Sequence, residues 1–337
     1  MTKTAVVILN WNGEEHLRRF LPSVVGNTPS EAEIIVADNG STDNSVPMLE
    51  RDFPSVRIIR LERNFGFAEG YNRALCEVEA EYCVLLNSDV ETPRGWLEPL
   101  VGCLDTNPDV AAAAPKLLSA ENRTEFEYAG ASGGYIDWLG YPFCRGRILQ
   151  TIEHDEGQYD DRRKVFWVSG AAFCCRLPVF RQLGGFAGEF FAHMEEIDLC
   201  WRMQLAGYSV MIEPASHVYH LGGGTLTKSS SRKIFFNHRN NLAMLLRCAP
   251  CGQRLAVILL RPVADLTAAV SYLLQGRPGW AWAVARAYWD FLKWHCRLLA
   301  ERKKIRSTAV TEASTIYRGS IVIRYMFGKR RFDNIML

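Results

Sequence analysis

Three short runs hold side chains suited to chemistry. Asn87-Ser88-Asp89 directly follows the apolar run Tyr82-Cys83-Val84-Leu85-Leu86. A carboxylate placed there can hold a divalent cation against a diphosphate, and the cation then neutralises charge on a leaving group. Read alone, Asp89 also suits a helix cap ahead of Trp96. Asp38 ends a second apolar run and opens Asp38-Asn39-Gly40-Ser41-Thr42-Asp43. It suits a hydrogen bond to a base or ribose, and equally the turn that Asn39-Gly40 favours. Glu195-Glu196-Ile197-Asp198 crowds three carboxylates into four residues. On a helix Glu195 and Asp198 share a face, with Glu196 about 100° away. Crowding of this kind raises one member's pKa, as a general base requires; an acidic first helical turn is the structural alternative. Of His193, His217 and His220, the last is the strongest candidate ligand, because it stands beside the open backbone of Gly222-Gly223-Gly224.

Side chains on such short runs need a rigid frame. Ala5–Leu9, Glu33–Ala37, Val56–Ile59 and Tyr82–Leu86 read as strands. A helix carrying Leu17, Phe20, Leu21 and Val24 on one side follows the first, and another near Ala68–Val78 precedes the last. Alternation of strand and helix is the pattern of a mostly parallel sheet covered on both faces. Ligands bind such sheets beyond the strands' carboxyl ends, which singles out Asn10-Trp11-Asn12, Asp38-Asn39 and Asn87-Ser88-Asp89. A second cluster from Val165 to Leu221 reads as a strand (Val165–Cys175), a glycine turn at Gly184-Gly185, a helix around Glu195–Ala206 and a strand at Tyr208–Ile212. It is too short for its own core and is assigned to the same domain. The glycine-rich phosphate loop ending in Lys-Ser or Lys-Thr is absent, and so is the dinucleotide fingerprint after the first strand. Both absences argue against an ATPase or a nicotinamide oxidoreductase.

Together these segments resemble glycosyltransferase family 2, and in particular its rhamnosyltransferase-like branch. The matching pieces occur in family order: Val6–Gly13, Ile35–Asp43, Arg63–Ala68 with Asn72, Leu85–Asp89, and a last run through Ser169–Phe173, Gly185-Phe186 and Glu195–Arg202 to Gly207-Tyr208, Pro214 and His220. The resemblance implies an α/β GT-A fold and inverting transfer of a sugar from a nucleotide-diphosphate donor to a hydroxyl. It places Asn10 and Asn12 in the nucleotide pocket, Asp38 on the base or ribose, and Asn64, Asn72 and Ser88 near the donor. Asp89 would hold Mg²⁺ or Mn²⁺ with His220 as a second ligand, and Glu196 would be the base. Two positions depart from the family pattern. Asn87 stands where Asp-x-Asp has its first carboxylate, and Glu196 stands where Asp is usual, which leaves the base open between Glu196 and Glu195. No Gln-x-x-Arg-Trp follows, so one sugar is added at a time.

The 337 residues suggest roughly two units: residues 1–240 as the catalytic domain and 241–337 as a helical, basic region. From Arg286 onward twelve Lys or Arg face four Asp or Glu, a net +8, while the rest is −6. Ala256–Leu274 is nearly apolar, but Arg261 and Asp265 argue against a membrane span; spaced by four, they can pair on a helix. Trp280–Lys304 reads as a basic, Trp-rich amphipathic helix which, with the charge run Arg302-Lys303-Lys304 and Arg306, fits a membrane surface. Nucleic acid is disfavoured, because the aromatics lie on an apolar helix face. The amino-terminal apolar run is too short for a signal peptide, and the ten cysteines form no spaced framework. The expectation is a peripheral protein on the cytoplasmic face of the membrane, acting on a lipid-linked glycan in surface-polysaccharide synthesis. Two other readings remain: transfer to a polyprenyl phosphate, and a non-catalytic subunit that binds nucleotide sugars.

Overall fold

Aliphatic residues without alternation make strands buried on both faces, and Ala5–Leu9 and Tyr82–Leu86 form the middles of two central strands. The structure, a computed structural model, describes residues 2–222 and 230–335. Its first half runs β1 (Thr2–Asn10), α1 (Glu14–Asn27), β2 (Ala32–Asp38), α2 (Ser45–Asp52), β3 (Arg57–Arg60), α3 (Gly66–Cys76), β4 (Ala80–Asn87), β5 (Val90–Glu91), α4 (Glu98–Thr106) and β6 (Val110–Ser119). Four short strands, β7 (Gly134–Ile136), β8 (Pro142–Cys144), β9 (Arg147–Ile148) and β10 (Thr151–Ile152), then form a separate antiparallel sheet. The chain rejoins the main sheet through β11 (Arg163–Lys164), β12 (Ala172–Arg176), α5 (Leu177–Gln182), α6 (Glu195–Leu205) and β13 (Ser209–His220). It ends in α7 (Ser231–Cys248), α8 (Cys251–Leu274), α9 (Pro278–Ser307) and α10 (Ile321–Met326).

The main sheet has the order β11-β13-β6-β12-β4-β1-β2-β3, with β5 on β13. β1, β2, β3 and β4 pair in parallel, as do β6 and β13, and β12 runs antiparallel between β4 and β6. The sheet is therefore mostly parallel, as the alternation of elements predicted. β12 and β13 complete the same sheet as the first half, so the second cluster shares its core. The carboxyl ends of β1, β2, β4 and β13 all open on one edge, where Asn10 is opposite Asp38 and Leu9 opposite Asn87. Because β12 is reversed, its start brings Ser169–Ala171 to that edge, and the Asn87 N–H donates to the Ala171 carbonyl at 3.0 Å.

Two readings of the elements need correction. The expected strand over Val165–Cys175 is regular only from Ala172. Before that the chain leaves the sheet to hold the small one. Trp167 lies so close over Gly134 that a Cβ there would sit 2.0 Å from its ring, and its indole N–H donates to the Tyr135 carbonyl at 3.0 Å. Asp89 does not cap the helix beyond Trp96, since α4 starts only at Glu98. The small sheet itself gave no periodic signal.

The boundary expected after residue 240 falls inside α7. Leu245, Leu298, Ile321 and Phe332 belong to the same buried cluster as Ala5 and Leu85. On α8, Arg261 and Asp265 do pair, at 3.3 Å, and both are buried. The Arg261 Nη1 also donates to Leu139 O and Asn241 Oδ1, both at 2.8 Å, and Asp265 accepts from the hydroxyls of Tyr141 and Tyr288. This network fixes which face of α8 turns inward. The opposite face leaves Leu255, Leu259, Val263, Leu266 and Leu274 exposed. Trp282, Trp289 and Leu292 of α9 are exposed as well. Two residues read as a membrane-facing charge run have other tasks. Arg302 is buried and donates to the carbonyls of Leu246 and Ala249 at the end of α7, and Arg306 pairs with Glu312. Helix ends leave such carbonyls without partners, and a buried guanidinium answers that need.

Arg261→Ala strands the Asp265 carboxylate and lowers the unfolding free energy by about 3–5 kcal/mol. Urea titrations should show this, with part of the loss recovered in Arg261→Met/Asp265→Leu, where no charge stays buried.

Candidate active site

The carboxyl edge of the sheet opens into a cleft of about 470 Å³. Its walls carry Trp11 and Asn12 after β1, Asn39 after β2, Asn64, Ser88 and Asp89 after β4, Ser169–Ala171 before β12, and His220 ending β13. His193, Glu195 and Glu196 come from the start of α6, and Arg232 and Lys233 from the start of α7.

Asp89 and His220, expected to act together, do meet: Asp89 Oδ1 is 3.2 Å from His220 Nε2. Glu127, which no motif singled out, stands 3.3 Å from His220 Nδ1. All three are buried. Burial alone would pull the imidazole's pKa down, but the carboxylates of Glu127 and Asp89 push it up to about 10. Burial raises the two carboxylates in turn, and the His220 charge more than offsets it, holding both below their ordinary values. A carboxylate on Nδ1 fixes which ring nitrogen faces the cleft, the arrangement common behind metal-ligating histidines. Among the described residues no three His, Cys, Asp or Glu side chains converge as a cation cage. Asp89 fits a cation that takes most of its ligands from phosphate oxygens and water, and His220 joins it only by giving up its Nε2 proton, since a charged imidazole has no lone pair to offer.

Glu195 and Glu196 sit in the opposite environment. One carboxylate oxygen of each is buried with no hydrogen-bond partner among the described residues. Burial raises the Glu195 carboxyl well above its ordinary value, helped by the charges of Glu196 and Asp198. Burial also lifts Glu196, to about 7, against the backbone N–H groups that lower it. The third carboxylate of the run is not part of the site: Asp198 is fully buried and bonded to Arg202 at 2.7 Å. His193 lines the same wall and is pushed down to about 4 by burial and the Lys233 charge, so it is neutral at pH 7.

What aims these groups is a strained turn. Phe191, His193 and Met194 all have positive φ, at 65°, 70° and 73°, a region that ordinary side chains rarely enter. Asn240 of α7 clamps it, its Nδ2 lying 3.0, 2.9 and 2.8 Å from the carbonyls of Phe190, Ala192 and His193. Arg239 adds bonds to Glu189 O and Phe190 O. The Phe191 carbonyl accepts from the N–H groups of Phe67 and Ala68, tying the turn to the start of α3.

Three expected residues are not on the cleft wall. Asn72 uses both ends of its amide on the Phe186 backbone, at 2.9 and 3.0 Å, and so staples α3 to the Gly185 turn. Asn10 and Asp38 are buried behind the wall. Asp38 accepts from Asn10 Nδ2 at 3.2 Å and from the Ser41 N–H at 3.1 Å, fixing the turn that carries Ser41 toward Asn12. Asn12, Asn64 and Ser88 do line the cleft. Asn64 accepts from Gly66 N and from Asn39 Nδ2, at 2.8 and 3.3 Å. Gly223 and Gly224 lie outside the described residues.

A nucleotide-sized cleft at the carboxyl edge, with an Asp–His pair on one wall and unpaired carboxylates on another, defines a sugar-transferring enzyme of the GT-A type. The family described as Glycosyl transferase family 2 matches residues 5–177, just over half of the chain, and the chain belongs to that family. An N-acetylglucosaminyl-diphospho-decaprenol L-rhamnosyltransferase of Mycobacterium tuberculosis is 25% identical over 258 residues, covering 71% of this chain and 83% of its own. Among solved structures, S. aureus TarS 1–349 in complex with UDP-GlcNAc aligns with a TM-score of 0.57 at 16% identity, over 97% of this chain and 92% of that one. GalNAc-T7 with UDP, GalNAc and Mn²⁺ aligns at 0.56 and 18% identity, over 73% and 48%. The protein is a glycosyltransferase.

Asn240→Ala frees the turn before α6 and lowers kcat about tenfold or more, because misplacing a reacting group by an ångström is enough for such losses. The KM for the sugar donor changes little, since the Asp89 wall does not rest on Asn240; steady-state kinetics on the purified variant separate the two.

Proposed function

We propose that the enzyme transfers a sugar, with inversion, from a nucleotide-diphosphate donor to a hydroxyl of a lipid-linked glycan used for cell-surface polysaccharide. The observation that carries this reading is the Glu195–Glu196 pair, each with one carboxylate oxygen buried and without a partner among the described residues, facing the same cleft as Asp89 and His220. Asn12, Asn64 and Ser88 line the space for the nucleotide sugar, with Asn10 and Asp38 supporting Asn12 from behind. Asn72 contributes by holding the Gly185 turn against α3. Asp89 and His220 would hold Mg²⁺ or Mn²⁺, and the Mn²⁺ in the GalNAc-T7 structure supports this assignment. When bound, the cation supplies neutralisation of the charge left on the departing diphosphate.

Glu196 accepts the proton of the acceptor hydroxyl as that oxygen attacks the anomeric carbon, opposite the leaving diphosphate. Glu195, raised by burial and by the neighbouring Glu196 charge, shares the proton-holding of the pair. A base whose pKa is near 7 combines a useful fraction of carboxylate with real affinity for the proton. The longer arm of Glu, where the family usually has Asp, matches a base set at the end of a tight turn.

The relative from M. tuberculosis is named for rhamnose transfer to a lipid diphosphate, which supports L-rhamnose as the sugar and a lipid-carried acceptor. Among the described residues one helix, α8, is long and apolar enough to cross a membrane by length and composition. Its Arg261 and Asp265 are bound into the protein body, so we place it along the cytoplasmic membrane surface, with residues 241–337 as the membrane-associated region beside the catalytic residues 1–240. Nucleic acid has no role in this reading.

Release of nucleoside diphosphate from a panel of nucleotide sugars, assayed with a membrane lipid extract, tests the proposal. One donor should be turned over; Asp89→Ala or a chelator should abolish turnover. Loss of turnover in the wild type for every donor, with tight binding of one, would instead identify a binding subunit. For the wild type, log kcat should rise with pH and level off above about 7, because deprotonated Glu196 is the active form. Glu196→Gln should lose about 10²–10⁴-fold and the pH limb with it. Full activity in that variant would point to an acceptor phosphate, which needs no base.

A further inference from the structure

Beside the catalytic cleft lies a second cavity of about 430 Å³ whose lining has a different character. Arg232 and Phe236 of α7 and Trp282 and Arg286 of α9 face it, over Phe235. α7 and α9 run side by side in the same direction. Phe235 and Phe236 pack on Ala283 and Ala287 near their starts, and Arg302 reaches Leu246 and Ala249 near their ends. Ser231 and Gly279, in the first turns of the two helices, both line the cavity, so both N-termini open into it. Each terminus carries about half a positive charge, and neither first turn holds an acidic residue to answer it.

The two arginines add full charges. The Arg232 guanidinium lies 5.0 Å over the Phe191 ring and 5.4 Å over Phe236, and that of Arg286 lies 5.0 Å over Phe235. Among the described residues neither forms an ion pair with a carboxylate. A guanidinium laid on an aromatic face is held in place while its N–H edge stays free, the form in which arginine grips phosphate oxygens. Four sources of positive charge around one space, with none of the carboxylates that neutralise arginines elsewhere in the chain, make an anion site.

Its position selects the anion. On one side Arg232 also lines the catalytic cleft. On the other, Trp282 is 66% exposed on α9, which also leaves Trp289 and Leu292 exposed and packs beside the apolar α8. The order across the surface is therefore apolar face, cationic cavity, catalytic cleft. The donor diphosphate has the Asp89 wall and needs no apolar neighbour. A sugar carried on a lipid diphosphate has the matching order of lipid, diphosphate and sugar.

Resting on the lipid-linked acceptor reading above, we infer that this cavity binds the acceptor's diphosphate, with Arg232 and Arg286 as its ligands. The lipid leaves over Trp282, and the acceptor sugar enters the cleft toward Glu196.

Equilibrium binding of farnesyl diphosphate, a short polyprenyl diphosphate, to the full chain tests this directly. Arg286→Gln should weaken binding roughly tenfold and Arg232→Gln/Arg286→Gln roughly a hundredfold, as loss of charge-assisted bonds implies. Farnesol should bind both variants as it binds the wild type, and Arg286→Lys should recover part of the affinity. Arg286 is exposed, so its variant keeps the thermal midpoint of the parent. Unchanged farnesyl diphosphate binding in Arg286→Gln overturns the inference. So does a loss confined to phosphatidylglycerol vesicles, which would make the site one for lipid headgroups, and so does an equal loss for inorganic diphosphate bound as tightly as the farnesyl ester. Arg286-dependent binding without turnover of any nucleotide sugar would sink the catalytic reading and leave this site standing. Normal turnover with unaltered binding in the variant would do the reverse.

Discussion

A carboxyl group with an oxygen buried away from any hydrogen-bond partner is drawn toward its protonated form, and a chain that places two in succession must hold them there by something stronger. In this enzyme Glu195 and Glu196 open α6 in that condition, and the restraint is the turn of Phe191, His193 and Met194. Backbone in that region costs about 1–3 kcal/mol per residue. The turn persists because Asn240, Arg239 and the start of α3 use its carbonyls, and because Asp198, one turn on, is locked to Arg202. α6 therefore cannot rotate to bring its acidic residues into water. The helix that supplies Asn240 also supplies Arg232 and part of the C-terminal core, so the position of Glu195 and Glu196 depends on residues far along the chain.

The cleft separates two electrostatic conditions. On the β4–β13 wall Asp89 and Glu127 share one imidazole between them: the carboxylates are lowered and the imidazole raised. On the α6 wall burial raises the carboxylates, and the backbone N–H groups at the start of α6 offset only part of that rise. Environments that push titratable groups apart in this way assign roles without reference to motif. The set around His220 holds its charge and can face a diphosphate or its cation. The Glu195–Glu196 pair is poised to take a proton. The replacement of a family aspartate by Asn87 fits this division, because a further carboxylate beside Asp89 would add to two that already share one imidazole.

Strands and their ends were legible in the sequence because their physics is local. An unbroken apolar run such as Tyr82–Leu86 is buried on both faces, and the polar residues after it fall at the sheet's edge. The buried stripe of α1 follows in the same way from four apolar side chains. The reversal of β12, the small sheet and the early exit at Trp167 had no periodic pattern to announce them. Glu127 lies in that irregular stretch and is given meaning only by the fold that brings it to His220. Asn72 and Asp38 mark the opposite difficulty. Their types and spacing suit ligand contact, yet in this fold Asn72 bonds the Phe186 backbone and Asp38 bonds Asn10 and the Ser41 N–H, which sets both behind the cleft wall. Asn240 carries no chemistry of its own, and its importance exists only relative to the strain it restrains.

The C-terminal helices follow from one physical consideration, the need of a buried charge for company. Arg261 and Asp265 interrupt an apolar helix and so weigh against a span. Because they find partners in Leu139, Asn241, Tyr141 and Tyr288, they do more, fixing the rotation of α8 about its axis. An apolar helix free to roll would bury its leucines in the protein; one pinned by an ion pair and two tyrosines must present them outward. Arg302 acts likewise on α9, drawing it against the end of α7 and leaving Trp282 and Trp289 at the surface. The apolar face is thus set by the polar contacts beneath it. Two of the charges in the run that first suggests a basic surface, Arg302 and Arg306, are used within the protein, so the exposed face owes its character as much to leucine and tryptophan as to the remaining cations.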